Sequence, residues 1–176
     1  MNRFMNKGNK DGIYRTTSDI FQLATTILYQ NPVQNFALTP NNLIDAPELC
    51  MEYLRTVPTE WDETKLIEGI PGKYVVLARR HGNDWYVGGV NATSEPLDLN
   101  LNIGMLSGKN VILYSDSYTK EARKKFKKTT KESRSERVFK STDFIPNKKV
   151  VKVRENGTLP VRILPNGGIV ITSVHE

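Results

Sequence analysis

The sequence is poor in the residues that enzymes and metalloproteins use for chemistry. Cys50 is the single cysteine in 176 residues, which excludes an intramolecular disulfide and a cysteine-based zinc site. His81 and His175 are the only histidines, and neither has a second ligand at metal spacing. No G-x-S-x-G elbow occurs, and no glycine loop able to cradle a phosphate. Gly88-Gly89 and Gly167-Gly168 fall in strand or turn contexts. No apolar run approaches the roughly 20 residues needed to span a bilayer. Met1 to Lys10 is polar, carries Arg3, Lys7 and Lys10, and has no apolar stretch behind it. It does not read as a secretory signal. The chain therefore reads as cytosolic as encoded, or as having its leader outside this sequence.

What is present suits one soluble domain with an appendage. The apolar share of 38% suffices for a single core. The net charge of +6 is unevenly placed. Thr119 to Lys140 holds ten Lys/Arg against three Asp/Glu, and the rest of the chain holds 15 against 16. Basic character belongs to one segment, and such runs are usually solvated.

Periodicity divides the chain near residue 60. Before it the pattern is helical. Asp19 and Gln22 have capping-box spacing, and Ile20, Leu23, Ala24, Ile27 and Leu28 form one apolar stripe. Asn31-Pro32 stops that helix and opens a short second one through Val33, Phe36 and Ala37. Pro47 opens a third, with Leu49, Met51, Tyr53 and Leu54 as apolar members, and Pro58 ends it. These short helices have no obvious mutual core.

After Trp61 the pattern is β. Lys73 to Arg80, the turn Gly82-Asn83-Asp84 and Trp85 to Val90 predict a hairpin. Leu97, Leu99, Leu101 and Ile103 alternate with polar residues as a half-buried strand does. Val111 to Tyr114 is another strand. Val150 to Arg154 and Leu159 to Ile163 predict a second hairpin around Asn156-Gly157, and Ile169 to Val174 a last strand. Seven or eight short strands argue a mainly β fold, an antiparallel β-sandwich preceded by a helical segment. The expected domains are a helical lead-in over 1–60 and a sandwich over 61–176. A long, exposed, mobile basic loop at about 119–147 would interrupt the sandwich.

Candidate sites are few. Trp61-Asp62-Glu63 puts two carboxylates beside an aromatic, but neighbours on a strand point apart. Glycoside hydrolysis needs two converging carboxylates, about 5–9 Å apart. Packing by Trp61 and pairing by Asp62 or Glu63 is the plainer expectation. Trp85 and Tyr86 face opposite ways on one strand, so one is core and the other is free to stack a sugar. Trp61, Trp85 and Tyr86 are thus the carbohydrate-binding candidates, against core packing as the alternative. Lys124, Lys125, Lys127 and Lys128 flank Phe126 and are candidates for a polyanion, against a solvated loop. Nucleic acid is not expected, since such binding pairs charge with a groove or several stacking aromatics. Asn91-Ala92-Thr93 and Asn156-Gly157-Thr158 are sequons of the kind that arises by chance.

Several stretches together resemble one family. Thr16-Thr17, Phe21-Gln22-Leu23-Ala24 and Asn31-Pro32-Val33-Gln34-Asn35-Phe36-Ala37 resemble late catalytic-barrel helices of glycoside hydrolase family 97. Val57-Pro58-Thr59-Glu60-Trp61-Asp62-Glu63-Thr64 resembles its junction into the C-terminal domain. Gly72 to Arg80 with Asp84 to Gly89 resembles that domain's opening hairpin, and Gly167 to Ile171 its closing strand. The resemblance implies the helical segment left over from a (β/α)₈ barrel plus a C-terminal sandwich. It implies a structural or oligomerisation role in a parent that hydrolyses α-glucosides or α-galactosides at the bacterial envelope or periplasm. It also implies calcium in the parent. The family's catalytic and calcium-binding glutamates align before Met1, so the resemblance assigns no catalytic residue, metal ligand or cofactor here. The implied partners are the upstream barrel and N-terminal domain, or a second copy. Without barrel strands to face, the Ile20–Leu28 stripe must pack on the sandwich, meet a second copy or melt, and self-association or fraying before Trp61 is the expectation. Carbohydrate is a further candidate.

Overall fold

The structure, a computed structural model, describes residues 15–34, 46–127 and 138–174. Among the described residues two helices, α1 (Asp19–Leu28) and α2 (Glu48–Thr56), precede eight strands, with one more helix between the fifth and the sixth. In chain order these are β1 (Glu63–Ile70), β2 (Tyr74–His81), β3 (Asp84–Asn91), β4 (Leu97–Asn102), β5 (Asn110–Tyr118), α3 (Lys120–Lys127), β6 (Phe144–Lys152), β7 (Thr158–Ile163) and β8 (Gly168–Ser173). Six strands form one antiparallel sheet in the order β1-β2-β3-β8-β5-β6, and β4 pairs with β7 in a second. The mainly β sandwich with a helical lead-in is therefore observed.

Period-two alternation sorts the large sheet's side chains onto two faces. Val76, Ala78, Trp85, Val87, Val111, Leu113, Ile169 and Ile171 meet Leu101, Leu159, Val161 and Ile163 of the small sheet in one core. The opposite face of the large sheet presents Tyr86, Tyr114 and Val170. Ile20, Leu23, Ala24 and Ile27 of α1 cover it, with Cys50 and Tyr53 of α2. The molecule thus has three layers: helices, large sheet and small sheet.

That packing corrects the exposed stripe. Ile20, Leu23, Ala24 and Ile27 are wholly buried on the sheet, so a second copy cannot use them. Two glycines admit the helix. A Cβ at Gly168 would lie 2.7 Å from the Phe21 Cα, and one at Gly88 would lie 2.9 Å from the Ile27 Cβ. The helix start is also one residue earlier than the capping spacing predicts. Ser18 caps α1, its hydroxyl accepting from the Phe21 amide at 2.9 Å. Asp19 instead pairs with Arg15. The Thr26 and Tyr53 hydroxyls, 2.9 Å apart, join α1 to α2, so the helices do share a core. Phe36 and Ala37 lie outside the described residues, and Val33 is exposed.

The first hairpin forms as expected, with Arg80 opposite Trp85 and His81 opposite Asp84. The second does not. β6 pairs with β5 in the large sheet and β7 with β4 in the small one. The Arg154–Gly157 turn carries the chain between sheets, and Gly157 takes φ 77° there, where a Cβ would lie 2.6 Å from the Gly104 Cα. An Asn-Gly turn reports a tight reversal but not whether its flanks remain in one sheet.

The basic segment also differs from an open connection. Lys120–Lys127 is helical, and its buried Ala122 and Phe126 join Phe139, Phe144 and Tyr118 in a third cluster. The Phe126 and Phe139 rings are 4.9 Å apart. Four aromatics spaced widely along the sequence anchor what the charge count predicts as loop. Residues 128–137 lie outside the described ones.

Candidate functional site

The expected sugar-binding aromatics do not form one platform. Trp85 is 8% exposed and belongs to the core between the sheets, with the Lys65 ammonium 4.9 Å from its ring centre. Tyr86, on the other face, is 6% exposed beneath α1. The expectation that one of this pair stays open therefore fails, because helices cover the face that the alternation leaves outward. Only Trp61 and Tyr86 meet, edge to face at 5.3 Å.

Asp62 and Glu63 are held by Arg80. Its Nη1 lies 3.3 Å from Asp62 and its Nε lies 3.3 Å from Glu63, while the Gly82 amide donates to Asp62 at 2.7 Å. Lys65, then Arg80, holds the Glu63 carboxyl below its ordinary range. The pair fastens the chain entering β1 to the β2–β3 turn, a structural task. His81 stands beside it, its Nδ1 3.0 Å from the Glu60 carbonyl oxygen. His175 lies outside the described residues.

On α3, Lys124 is exposed and Lys125 donates to the Val138 carbonyl at 3.2 Å. The Lys127 side chain and Lys128 lie outside the described residues. Asn91 is wholly buried and its amide donates to the Glu95 and Ile163 carbonyls, so that sequon is unavailable to a glycan. Among the described residues no three His, Cys, Asp or Glu side chains gather into a group that could hold a metal ion. None of the described helices is long and apolar enough to cross a membrane.

Three places remain where composition and position disagree. The first is β1, a sheet edge whose outer backbone groups have no neighbouring strand among the described residues. Its pairing with β2 shifts between Leu66 and Glu68, which breaks the alternation and hid this strand from the sequence reading. Leu66 is 69% exposed and Ile70 45%. They border an apolar groove of ≈ 390 Å³ with Pro71, Tyr74, Val75 and Val90. The opposite edge, β6, carries Pro146 and the exposed Lys149 and Lys152, features that discourage strand addition.

The second is Arg79. It shares the helix-side face of β2 with Val75 and Leu77 and is 2% exposed. Its Nη1 donates to the Tyr29 carbonyl at 2.9 Å. Among the described residues its Nε and Nη2 have no acceptor, nor has the Trp61 indole N–H beside it. Desolvation lowers the guanidinium's ordinary pKa. Arg79 and Trp61 line a cleft of ≈ 400 Å³.

The third is Asp116, on the apolar helix-side face of β5. Its Oδ2 accepts from the Ser18 hydroxyl at 2.5 Å and the Gly168 amide at 2.9 Å. Burial pushes its pKa up to about 7. In both charged cases the available signal was a charge at an in-facing position of an apolar strand.

Comparison with known proteins bears on these places. The family model described as "Glycosyl-hydrolase 97 C-terminal, oligomerisation" matches residues 60–173. A retaining α-galactosidase from Bacteroides thetaiotaomicron is 30% identical over 150 residues, covering 85% of this chain and 20% of that protein. A probable retaining α-galactosidase from Streptomyces bingchenggensis is 41% identical over 75 residues, 43% of this chain and 12% of that protein. The crystal structure of a β-arabinopyranosidase superposes with a TM-score of 0.78 at 45% identity, covering 98% of this chain and 24% of that one. A family 97 enzyme from Pseudoalteromonas sp. strain K8, 23% identical with a TM-score of 0.67, shares the fold. This chain thus spans only about a fifth of the length of the Bacteroides relative.

Proposed function

The chain belongs to the glycosyl-hydrolase 97 C-terminal, oligomerisation family, and on that premise we propose that it associates with a second copy of itself along β1 and the Leu66–Ile70 groove. The observation that carries this reading is the groove. It places two exposed apolar side chains beside an open strand edge, on a domain whose family is described by oligomerisation. A two-fold contact would pair edge with edge and cover both grooves at once.

We further propose that the parent is a glycosidase of pyranosides with the galacto arrangement. An α-D-galactopyranoside and a β-L-arabinopyranoside share their configuration from C1 to C4 and differ by the hydroxymethyl at C5. This makes the similarity to proteins named for both sugars chemically coherent. α-Glucosides remain the second reading. The catalytic groups and any calcium would lie outside the described residues of this chain, which would act by support and association. Accordingly, this chain alone should leave aryl α-galactosides, α-glucosides and β-arabinopyranosides intact with or without added calcium. Turnover that survives repurification and is abolished by mutating one of its carboxylates would overturn that part.

Association is tested by L66K/I70K. Burying each aliphatic side chain is worth about 1.5–3 kcal/mol, so losing both should weaken self-association at least about 100-fold. Light scattering behind size exclusion should show the wild type assembling as concentration rises and the variant staying monomeric, with its denaturant midpoint preserved. Equal assembly by the variant, or a wild type monomeric at high concentration, would defeat the assignment.

A further inference from the structure

The basic helix α3 is a charged surface that the association reading leaves unused. It packs on β5 and β6, the strands farthest from β1 in the large sheet. In sequence it sets Lys120, Arg123, Lys124, Lys125 and Lys127 against one acid, Glu121. The fold nevertheless fixes it in place. The Thr119 hydroxyl accepts from the Ala122 amide at 3.1 Å, as an N-cap does, and the Thr119 amide donates to the Asp143 carbonyl at 3.0 Å. Ala122 and Phe126 are buried against Tyr118, Phe139 and Phe144. With about 3.6 residues per turn, that inner face turns Lys120 and Lys124 outward one turn apart, with Arg123 beside them. All three are exposed, and their side chains make no hydrogen bond or ion pair among the described residues.

Like charges three and four residues apart repel, so these three cations weaken the helix that carries them. A chain of anions laid along the helix relieves that repulsion, whereas one small anion meets one cation. What α3 has spent on packing says which chain. Its apolar face is buried in the domain, so none is left to enter a bilayer as a membrane-surface helix does. Phe126, Phe139 and Phe144 are buried and Tyr118 packs among them, so no ring is left for bases to stack on. A convex, hydrated row of cations remains, and it recognises a polymer by charge alone. We propose that Lys120, Arg123 and Lys124 bind a linear acidic polysaccharide, one with a carboxylate or sulfate on successive sugars. The proposal does not rest on association through β1, which lies at the other edge of the sheet.

The full chain is titrated calorimetrically with polygalacturonate and with dextran sulfate, at about 50 and about 500 mM salt. Each polymer should bind saturably at the lower salt and at least about tenfold more weakly at the higher. Fully methyl-esterified polygalacturonate keeps the backbone without the charge, and should show no saturable binding. K120Q/R123Q/K124Q should weaken both polymers at least about tenfold, because three charge contacts are lost. Glutamine suits a helix, so the urea midpoint of this variant should be preserved. K73Q/K109Q/K152Q removes as much charge from exposed positions on the β1–β2 turn and at the end of the β5–β6 pair remote from α3. It should weaken binding less than about threefold, since the contacts on α3 remain. The proposal is overturned if neither polymer binds at the lower salt, if the methyl ester binds as well as the acid, or if the two triple variants behave alike. It is equally overturned if duplex DNA or phosphatidylglycerol vesicles, at equal charge, bind more tightly than both polymers.

Discussion

Substituting Gly168 with valine should unseat α1 from the sheet while leaving the sandwich core folded. A Cβ at Gly168 would lie 2.7 Å from the Phe21 Cα and 2.8 Å from both the Ile20 carbonyl oxygen and the Phe21 amide nitrogen. These are backbone atoms of the helix's first turn and cannot rotate aside. Gly168 opens strand β8 with its α-carbon facing α1, and valine itself suits a strand, so the damage should fall on the helix. The same turn is held by Ser18, through its cap to Phe21 and its bond to Asp116, so displacing it also breaks that anchor. Ile20, Leu23, Ala24 and Ile27 lose their cover together, at a cost of at least about 5 kcal/mol by apolar burial. Freed, α1 is ten residues long and unstable alone, since isolated helices below roughly 12–15 residues are marginal in water. Amide exchange in G168V should lose protection over Ile20 to Leu28 and keep it at Val87 and Ile171. G88A, which meets Ile27 at 2.9 Å, should show the same pattern more mildly. Helix protection equal to wild type in both variants would mean that the sheet, not the glycines, adjusts to the helix.

That dependence explains what the sequence could and could not disclose. Alternation at Leu97 to Ile103 and in the Tyr74–Val90 hairpin is a local property, and those strands stand where it puts them. The stripe on α1 was equally plain, but its partner was not. Gly88 and Gly168 lie far from it in sequence, and a glycine in a strand reads first as a weakness. The split of β6 and β7 between sheets escaped for the same reason: the Asn156-Gly157 turn is local and the choice of sheet is not. The strand at Glu63–Ile70 was missed because the register shift after Leu66 breaks its period. Of the candidate site, Trp61 was legible as an aromatic at a junction. Arg79 showed only as a charge at an in-facing strand position, because the groups it meets, the Tyr29 carbonyl and the Trp61 ring, lie far from it along the chain. Lys124 to Lys128 drew notice by density of charge, yet the residues that give α3 its place are Ala122 and Phe126.

Stability should fall as pH rises from about 4 to about 7, and D116N should abolish that part of the fall. Asp116 sits beneath the start of α1, where burial dominates and raises its pKa from 3.8 to about 7. The Ser18 hydroxyl and the Gly168 amide favour the ionised form, as does Arg15, whereas Asp19 opposes it. Together they do not offset the lost hydration, and Oδ1 has no donor. Well below pH 3.8 the carboxyl is protonated in both folded and unfolded chains, and its contribution to stability is complete. Between the two values the unfolded chain releases the proton and the folded one retains it, so each step upward in pH favours unfolding. Above about 7 both are ionised and the contribution is gone. A shift of this size corresponds to roughly 4 kcal/mol across the interval. Asparagine keeps an oxygen to accept from Ser18 and Gly168 and cannot ionise. The comparison is therefore a difference of differences: urea midpoints of wild type and D116N at pH 4, 5.5, 7 and 8, in which every other titrating group cancels. D116N should gain on the wild type steadily up to pH 7 and no further. Amide exchange should place that gain in Ile20 to Leu28, because Ser18 ties the carboxyl to that helix. A gap between the two proteins that stays constant with pH would show that Asp116 is ionised within the fold, and that the Arg15 charge outweighs burial at the foot of α1.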